Sequence, residues 1–150
     1  MTEENPENLR AFLEEWGREP WTLEAWEAGD LIDMSFLDPE VVYEYTVLPD
    51  HIGEAYRGHE GIERAAKRWI EPNEWMRVEL IEIVEVGHRL VSVHHLRSKA
   101  RHSGIEFDTR DADLPDLAYV WTFRDGKVIH FKSFLGREKA LEEAREHQEQ

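Results

Sequence analysis

Leu117-Ala118-Tyr119-Val120-Trp121-Thr122-Phe123-Arg124-Asp125-Gly126-Lys127-Val128-Ile129-His130-Phe131-Lys132-Ser133-Phe134-Leu135 is the stretch whose reading decides the fold. Two runs rich in β-branched and aromatic residues flank Asp125-Gly126, a pair suited to a tight reversal, so the segment reads as a β-hairpin. The turn type sets the faces. A two-residue loop places Trp121 opposite His130, whereas a three-residue loop with Gly126 as the bulge places it opposite Ile129. The three-residue form is favoured because it gathers Leu117, Tyr119, Trp121, Phe123, Ile129, Phe131, Ser133 and Leu135 on one face. Thr122, Arg124, His130 and Lys132 are then left outside. So many rings on one face suggest a sheet curled around a cavity for a ligand.

Upstream of the hairpin, Met76 to Val86 and Arg89 to Arg101 read as strands separated by Gly87-His88, with Ile105-Glu106-Phe107 prolonging the series. Ile62, Ala65, Ala66, Trp69 and Ile70 fall at helical spacing after His59, and Pro72 ends that helix. Val41 to Val47 makes the first strand after an Asp38-Pro39 turn, and Leu48 to Gly58 reads as loop. Nearer the start, Asn5-Pro6-Glu7 opens a helix that carries Leu9, Phe12, Leu13 and Trp16 and ends near Gly17. Thr22 caps a second short helix, Leu23 to Ala28, closed by Gly29, and a third short turn covers Leu31 to Leu37. The tail from Glu138 to Gln150 is a charged helix anchored by Ala140, Leu141 and Ala144, and it is expected to fray.

The 150 residues contain no internal repeat and no linker, which makes residues 1–150 one domain. Without cysteine there is neither a disulfide framework nor a thiolate nucleophile. With 33 acidic against 18 basic side chains the net charge is -15, so no nucleic-acid partner is expected. Met1-Thr2-Glu3-Glu4-Asn5 lacks the basic start and apolar run of a secretory signal, and no segment reaches membrane-spanning length. No membrane partner and a cytoplasmic location are therefore expected.

The order of helices, a strand, a helix and then a meander argues for an α+β domain. Three helices cover one face of a strongly curved, mostly antiparallel sheet around a central pocket. Glu24-Ala25-Trp26-Glu27-Ala28-Gly29-Asp30, Leu37-Asp38-Pro39-Glu40-Val41, Tyr56-Arg57-Gly58-His59-Glu60-Gly61 and Phe123-Arg124-Asp125-Gly126-Lys127-Val128 follow one another as in a known family. On these motifs the chain resembles the SnoaL-like branch of the nuclear-transport-factor-2-like (NTF2-like) superfamily, related to polyketide cyclases and ketosteroid isomerases, from about Asn5 to Ala144. The resemblance implies the family's cone. It also implies cofactor-independent isomerase, cyclase or dehydratase chemistry, a proton transfer on an apolar, aromatic or polycyclic carbonyl compound. In the steroid isomerase-like relatives the base is a carboxylate late in the first strand, and in SnoaL-like cyclases it is an acid on the strand before the final hairpin turn. This chain carries Tyr45 and Tyr119 at those places. Tyrosine donates well to an oxyanion but is a poor base at neutral pH.

On the strand before the hairpin, Leu90, Ser92, His94, Leu96, Ser98 and Ala100 share one parity and Arg97, Lys99 and Arg101 the other, so the neutral set lines the cavity. The candidate catalytic residues are His94, Tyr119 and Tyr45, with Asp50 and His51 at the mouth, where an acid beside a histidine orients or charges it. His94 also reads as a hydrogen-bonded core residue, and Asp50 as a turn cap. Tyr43, Tyr56, Trp75, Leu96, Ser98, Leu117, Trp121 and Phe131 are the candidate ligand contacts, able to grip a flat molecule by stacking. Asp108, Asp111, Asp113 and Asp116 lack the pattern of a calcium loop and the histidines are scattered, so no metal and no cofactor is expected. The alternative to catalysis is a protein that only binds a hydrophobic small molecule. A homodimer is also expected through the outer sheet face, where Ala118, Val120, Val128 and Phe134 form an apolar stripe beside His130 and Lys132.

Overall fold

The computed structural model describes residues 4–18, 20–28, 34–45, 54–110 and 115–146. Its elements are α1 (Glu4–Arg18), α2 (Leu23–Glu27), a 3-10 turn (Met34–Phe36), β1 (Leu37–Tyr45), β2 (Glu54–Arg57), α3 (Gly58–Ile70), β3 (Asn73–Val86), β4 (Arg89–Ala100), β5 (Glu106–Asp108), β6 (Leu117–Arg124), β7 (Lys127–Leu135) and α4 (Arg137–Glu146). The strands form one curved, unclosed sheet in the order β2-β1-β7-β6-β4-β3, with β5 also paired to β4. Neighbours are antiparallel except β1 and β7, which run parallel and set Tyr43 beside Phe131 and Tyr45 beside Ser133. The fold is thus α+β, as the order of elements implied.

The hairpin corrects the expected three-residue loop. Asp125 and Gly126 both take positive φ, 53° and 80°, the geometry whose twist matches that of the flanking strands, and Arg124 pairs directly with Lys127. The extra residue lies further along, at Ile129, where the register shifts so that Trp121 faces Phe131. Beyond this bulge Tyr119, Trp121, Phe131 and Ser133 are buried on the inner face; before it Val128, fully buried, points inward in place of Ile129.

Two further differences concern strands. Leu48 to Gly58, read as loop, contains β2, an edge strand whose Glu-Ala-Tyr-Arg carries no β-branched signal and which forms because β1 offers it a partner. The first strand starts at Leu37 and runs through Asp38-Pro39, with the register shift between Leu37 and Val42 absorbing the proline.

Helices pack on both faces. Leu9 and Leu13 of α1 and Ile62, Ala65 and Ile70 of α3 are buried against the inner rings. α1 can approach β3 closely because Gly17 has no side chain: a Cβ there would lie 2.5 Å from the Val78 carbonyl oxygen. Just after α1, Trp21 bonds β3 through Trp21 N–H to Met76 O at 2.6 Å and Met76 N–H to Trp21 O at 3.0 Å.

On the outer face α4 is docked, where fraying was expected. Its Ala140, Leu141 and Ala144 are buried with Val91, Val93, Ala118 and Val120, and the Lys132 ammonium reaches the Glu143 carboxylate at 2.7 Å. Three small or apolar side chains at helical spacing suffice because the strands beneath present a matching apolar patch. The stripe expected to carry a homodimer is therefore covered from within the chain, and Val128 is not part of it. No helix is long and apolar enough to cross a membrane among the described residues. Replacing buried Leu141 with Ala is expected to destabilise the fold by about 3 kcal/mol in urea unfolding, against less than about 0.5 for exposed Glu142→Ala; equal effects would mean that α4 is not seated on the sheet.

Candidate functional site

Strand alternation puts Tyr43, Tyr45, Ser92, His94, Tyr119, Trp121, Phe131 and Ser133 on the concave face of the sheet. Between them and the helices lies a partly open cavity of about 50 Å³. Tyr43, Tyr119 and Phe131 form its floor, Trp16 and Trp21 one wall, and Ile62, Ala65, Ala66 and Trp69 of α3 the other. Its surface is almost wholly apolar and includes no charged side chain. Typical pockets for drug-sized ligands measure roughly 300–1,000 Å³, so a polycycle does not fit the cavity as it stands.

The rest of the cone is filled with rings. Tyr119 lies at its centre, its ring 5.4 Å from His94, 5.4 Å from Trp121, 5.6 Å from Trp16 and 6.2 Å from Phe131. Phe131 is stacked between Tyr43 at 4.4 Å and Trp121 at 4.8 Å, and Tyr45 meets Trp69 edge-on at 5.3 Å. Such pairs fix one another's positions and so hold the floor rigid.

The polar groups form two short chains. The Trp121 indole N–H donates to Ser92 Oγ at 2.7 Å, and Ser92 Oγ lies 2.8 Å from His94 Nε2. The Tyr43 hydroxyl donates to Ser133 Oγ at 3.1 Å, and the Tyr119 hydroxyl is hydrogen-bonded to the Tyr43 side chain. Burial lowers the His94 pKa from 6.5 to about 3, so the ring is neutral at physiological pH. Burial, reinforced by the proximity of other tyrosines, raises both Tyr43 and Tyr119 above the ordinary phenol range, so both stay protonated donors. The described cavity therefore offers apolar contact, with no carboxylate to take a proton.

A family model described as SnoaL-like domain matches residues 9–131. The chain belongs to the SnoaL-like domain family. Among solved structures, this SnoaL-like domain is similar to an NTF2-like protein of unknown function from Burkholderia pseudomallei, with 20% identity over 90% of this chain and 95% of that one and a TM-score of 0.62. It is also similar to TerC, co-crystallised with polyporic acid, with 21% identity, 93% and 98% coverage and a TM-score of 0.61. A protein from Catenulispora acidiphila with a ketosteroid isomerase-like fold, solved in complex with trimethylamine, shares 14% identity over 93% of each chain at a TM-score of 0.62. These likenesses show the fold. No curated protein matches the chain.

In this SnoaL-like domain Tyr43, Tyr119 and Phe131 line the cavity, while Tyr45, His94 and Trp121 sit behind that lining on the same face. Leu96 and Leu117 are buried on the inner face, and half-buried Ser98 lies opposite Met76; none of the three lines the cavity. Tyr56 on β2 stacks on Tyr43 at 6.0 Å, its hydroxyl accepting from the Arg68 guanidinium at 2.9 Å, outside the lining. Trp75 is on the wrong face: Trp21 pins its neighbour Met76 inward, so Trp75 shares the outer side with Lys99. Asp50, His51, Asp111 and Asp113 lie outside the described residues. The lining residues that sequence reasoning passed over are Trp16, Trp21, Ile62, Ala65 and Ala66. The signal for the first two was the pair of tryptophans flanking Gly17 and Pro20.

The depressed His94 pKa has a stability consequence. Between about pH 6.5 and about pH 3 the unfolded chain binds a proton at His94 that the folded chain does not, so this contribution is complete above pH 6.5 and is lost as pH falls. Wild type should lose roughly 1 kcal/mol more between pH 7.5 and 5.5 than His94→Gln, measured as urea midpoints. Parallel pH profiles for the two proteins would contradict a buried neutral imidazole.

Proposed function

We propose that this SnoaL-like domain binds a compact, largely apolar small molecule, seated on Tyr43, Tyr119 and Phe131 under the roof of Trp16, Trp21 and α3. The observation that carries this reading is the small cavity with apolar walls and protonated tyrosines at its floor. Apolar contact supplies the affinity. The cavity's volume favours a single small ring or a branched amine- or ketone-sized molecule over a fused ring system. Trimethylamine in the Catenulispora protein is a ligand of that order of size.

A second reading is an isomerase- or cyclase-type enzyme. It is favoured by the Tyr43–Tyr119 pair, two neutral hydroxyls of the kind that stabilise a developing oxyanion. Its base would be His94, weakened by burial, or the acid and imidazole of Asp50 and His51.

The test is titration with compact cyclic ketones, alkenes and alkylamines, followed by indole fluorescence, on wild type and on Ala66→Phe, which fills the cavity. At least one compound should bind wild type and lose more than about tenfold in affinity in the variant. Recovery of the bound compound unchanged supports the binding role. Turnover that His94→Gln or Tyr119→Phe abolishes supports the enzyme. If every compound tested binds both proteins equally or neither, the cavity reading fails.

A further inference from the structure

Tyr56, Tyr43, Phe131 and Trp121 are direct cross-strand neighbours on β2, β1, β7 and β6, strands that lie side by side. Side chains stand roughly perpendicular to a sheet, so the rings stack into one column that crosses it. Tyr56 lies 6.0 Å from Tyr43 with 25° between planes, Tyr43 lies 4.4 Å from Phe131 at 12°, and Phe131 lies 4.8 Å from Trp121 at 15°. Because β7 runs between β1 and β6, Tyr43 and Trp121 cover opposite faces of Phe131. Tyr56 and Phe131 likewise enclose Tyr43, since β1 runs between β2 and β7.

The two inner rings of the column, Tyr43 and Phe131, line the cavity, and the two outer ones do not. A ring with a neighbour on each face meets a guest with its rim. The stacking that the sequence suggested for Tyr43 and Phe131 toward a ligand is thus already taken up within the protein. An aromatic ring is electron-rich over its faces and electron-poor around its rim, so this part of the floor is a row of weakly positive C–H groups. Ile62, Ala65 and Ala66 add aliphatic C–H, and the Tyr43 hydroxyl donates to Ser133.

We infer that the side of this column selects a neutral, single-ring guest with an electron-rich π face, an arene without N–H or O–H groups, laid flat across the rims of Tyr43 and Phe131. The inference rests on the proposal that the cone holds a compact guest, and it adds the electronic character that guest must have. Other classes fit less well. The net charge of -15 draws cations toward the protein, but a cation binds over ring faces, and these two rings have none to give. An anion finds no cationic side chain on the cavity walls to offset its desolvation. A guest with N–H or O–H groups leaves its hydrogen bonds to water behind and finds an almost wholly apolar surface in exchange.

The test titrates the protein with benzene, symmetrical trifluorobenzene and hexafluorobenzene, a series in which the ring face passes from electron-rich to electron-poor while apolar surface grows. Affinity should fall along the series, by about tenfold from benzene to hexafluorobenzene. The Phe131 ring-proton signals, identified by their loss in Phe131→Leu, should move upfield with benzene, as hydrogens above a ring face do, and stay in place with cyclohexane. Should that variant fail to fold, through-space contacts to the Tyr43 and Trp121 rings identify the signals in wild type. Equal or rising affinity along the series overturns the inference while the cavity reading stands. So does benzene binding that leaves the Phe131 signals in place or moves them downfield. If none of the four compounds binds, or if Ala66→Phe binds them as tightly as wild type, the cavity reading falls and takes this inference with it.

Discussion

The whole interior depends on one extra residue, Ile129, in the second arm of the hairpin. A strand's faces alternate with strict period two, so a single inserted residue decides which side chains of β7 meet those of β6. With Ile129 bulged, Trp121 faces Phe131, Tyr119 faces Ser133, and the parallel partner β1 brings Tyr43 onto Phe131. Without it the arms would fall out of phase, and the stack of Tyr43, Phe131 and Trp121 could not form. The bulge also strengthens local twist, which a sheet needs if it is to curl around helices on its concave side.

A cone floored by rings is rigid but nearly full. The described cavity is what remains after Tyr119, Trp121 and Phe131 have packed on each other and on Trp16 and Tyr43. Burial sets the chemistry there by excluding charge. The imidazole of His94 is neutral, and the phenols of Tyr43 and Tyr119 keep their protons.

Much of this was legible in the residues. Parity along β4 separated Ser92, His94 and Leu96 from Arg97 and Lys99 without knowledge of any partner strand, because a basic set and a neutral set do not share a buried face. The rings of Tyr119, Trp121 and Phe131 were likewise read inward, even though the turn that achieves it was misassigned. What eluded the sequence depends on contacts distant along the chain. β2 exists because β1 pairs with it, α4 holds because Val91, Val93, Ala118 and Val120 lie beneath it, and Trp75 faces outward because Trp21 bonds the backbone of Met76. Cavity size eluded it for the same reason: side-chain types say what lines a space, while the space itself depends on how closely helices and sheet pack, as where Gly17 lets α1 approach β3.

The central claim is that an apolar void persists between the sheet and its roof at Tyr119. Xenon enters dry apolar cavities without needing any specific hydrogen bond, so diffraction from a crystal pressurised with xenon tests the claim independently of ligand choice. The account predicts one strong xenon site bounded by Trp16, Tyr43, Ala66 and Tyr119. A pressurised crystal with no xenon there, and the rings closed over the space, would contradict it.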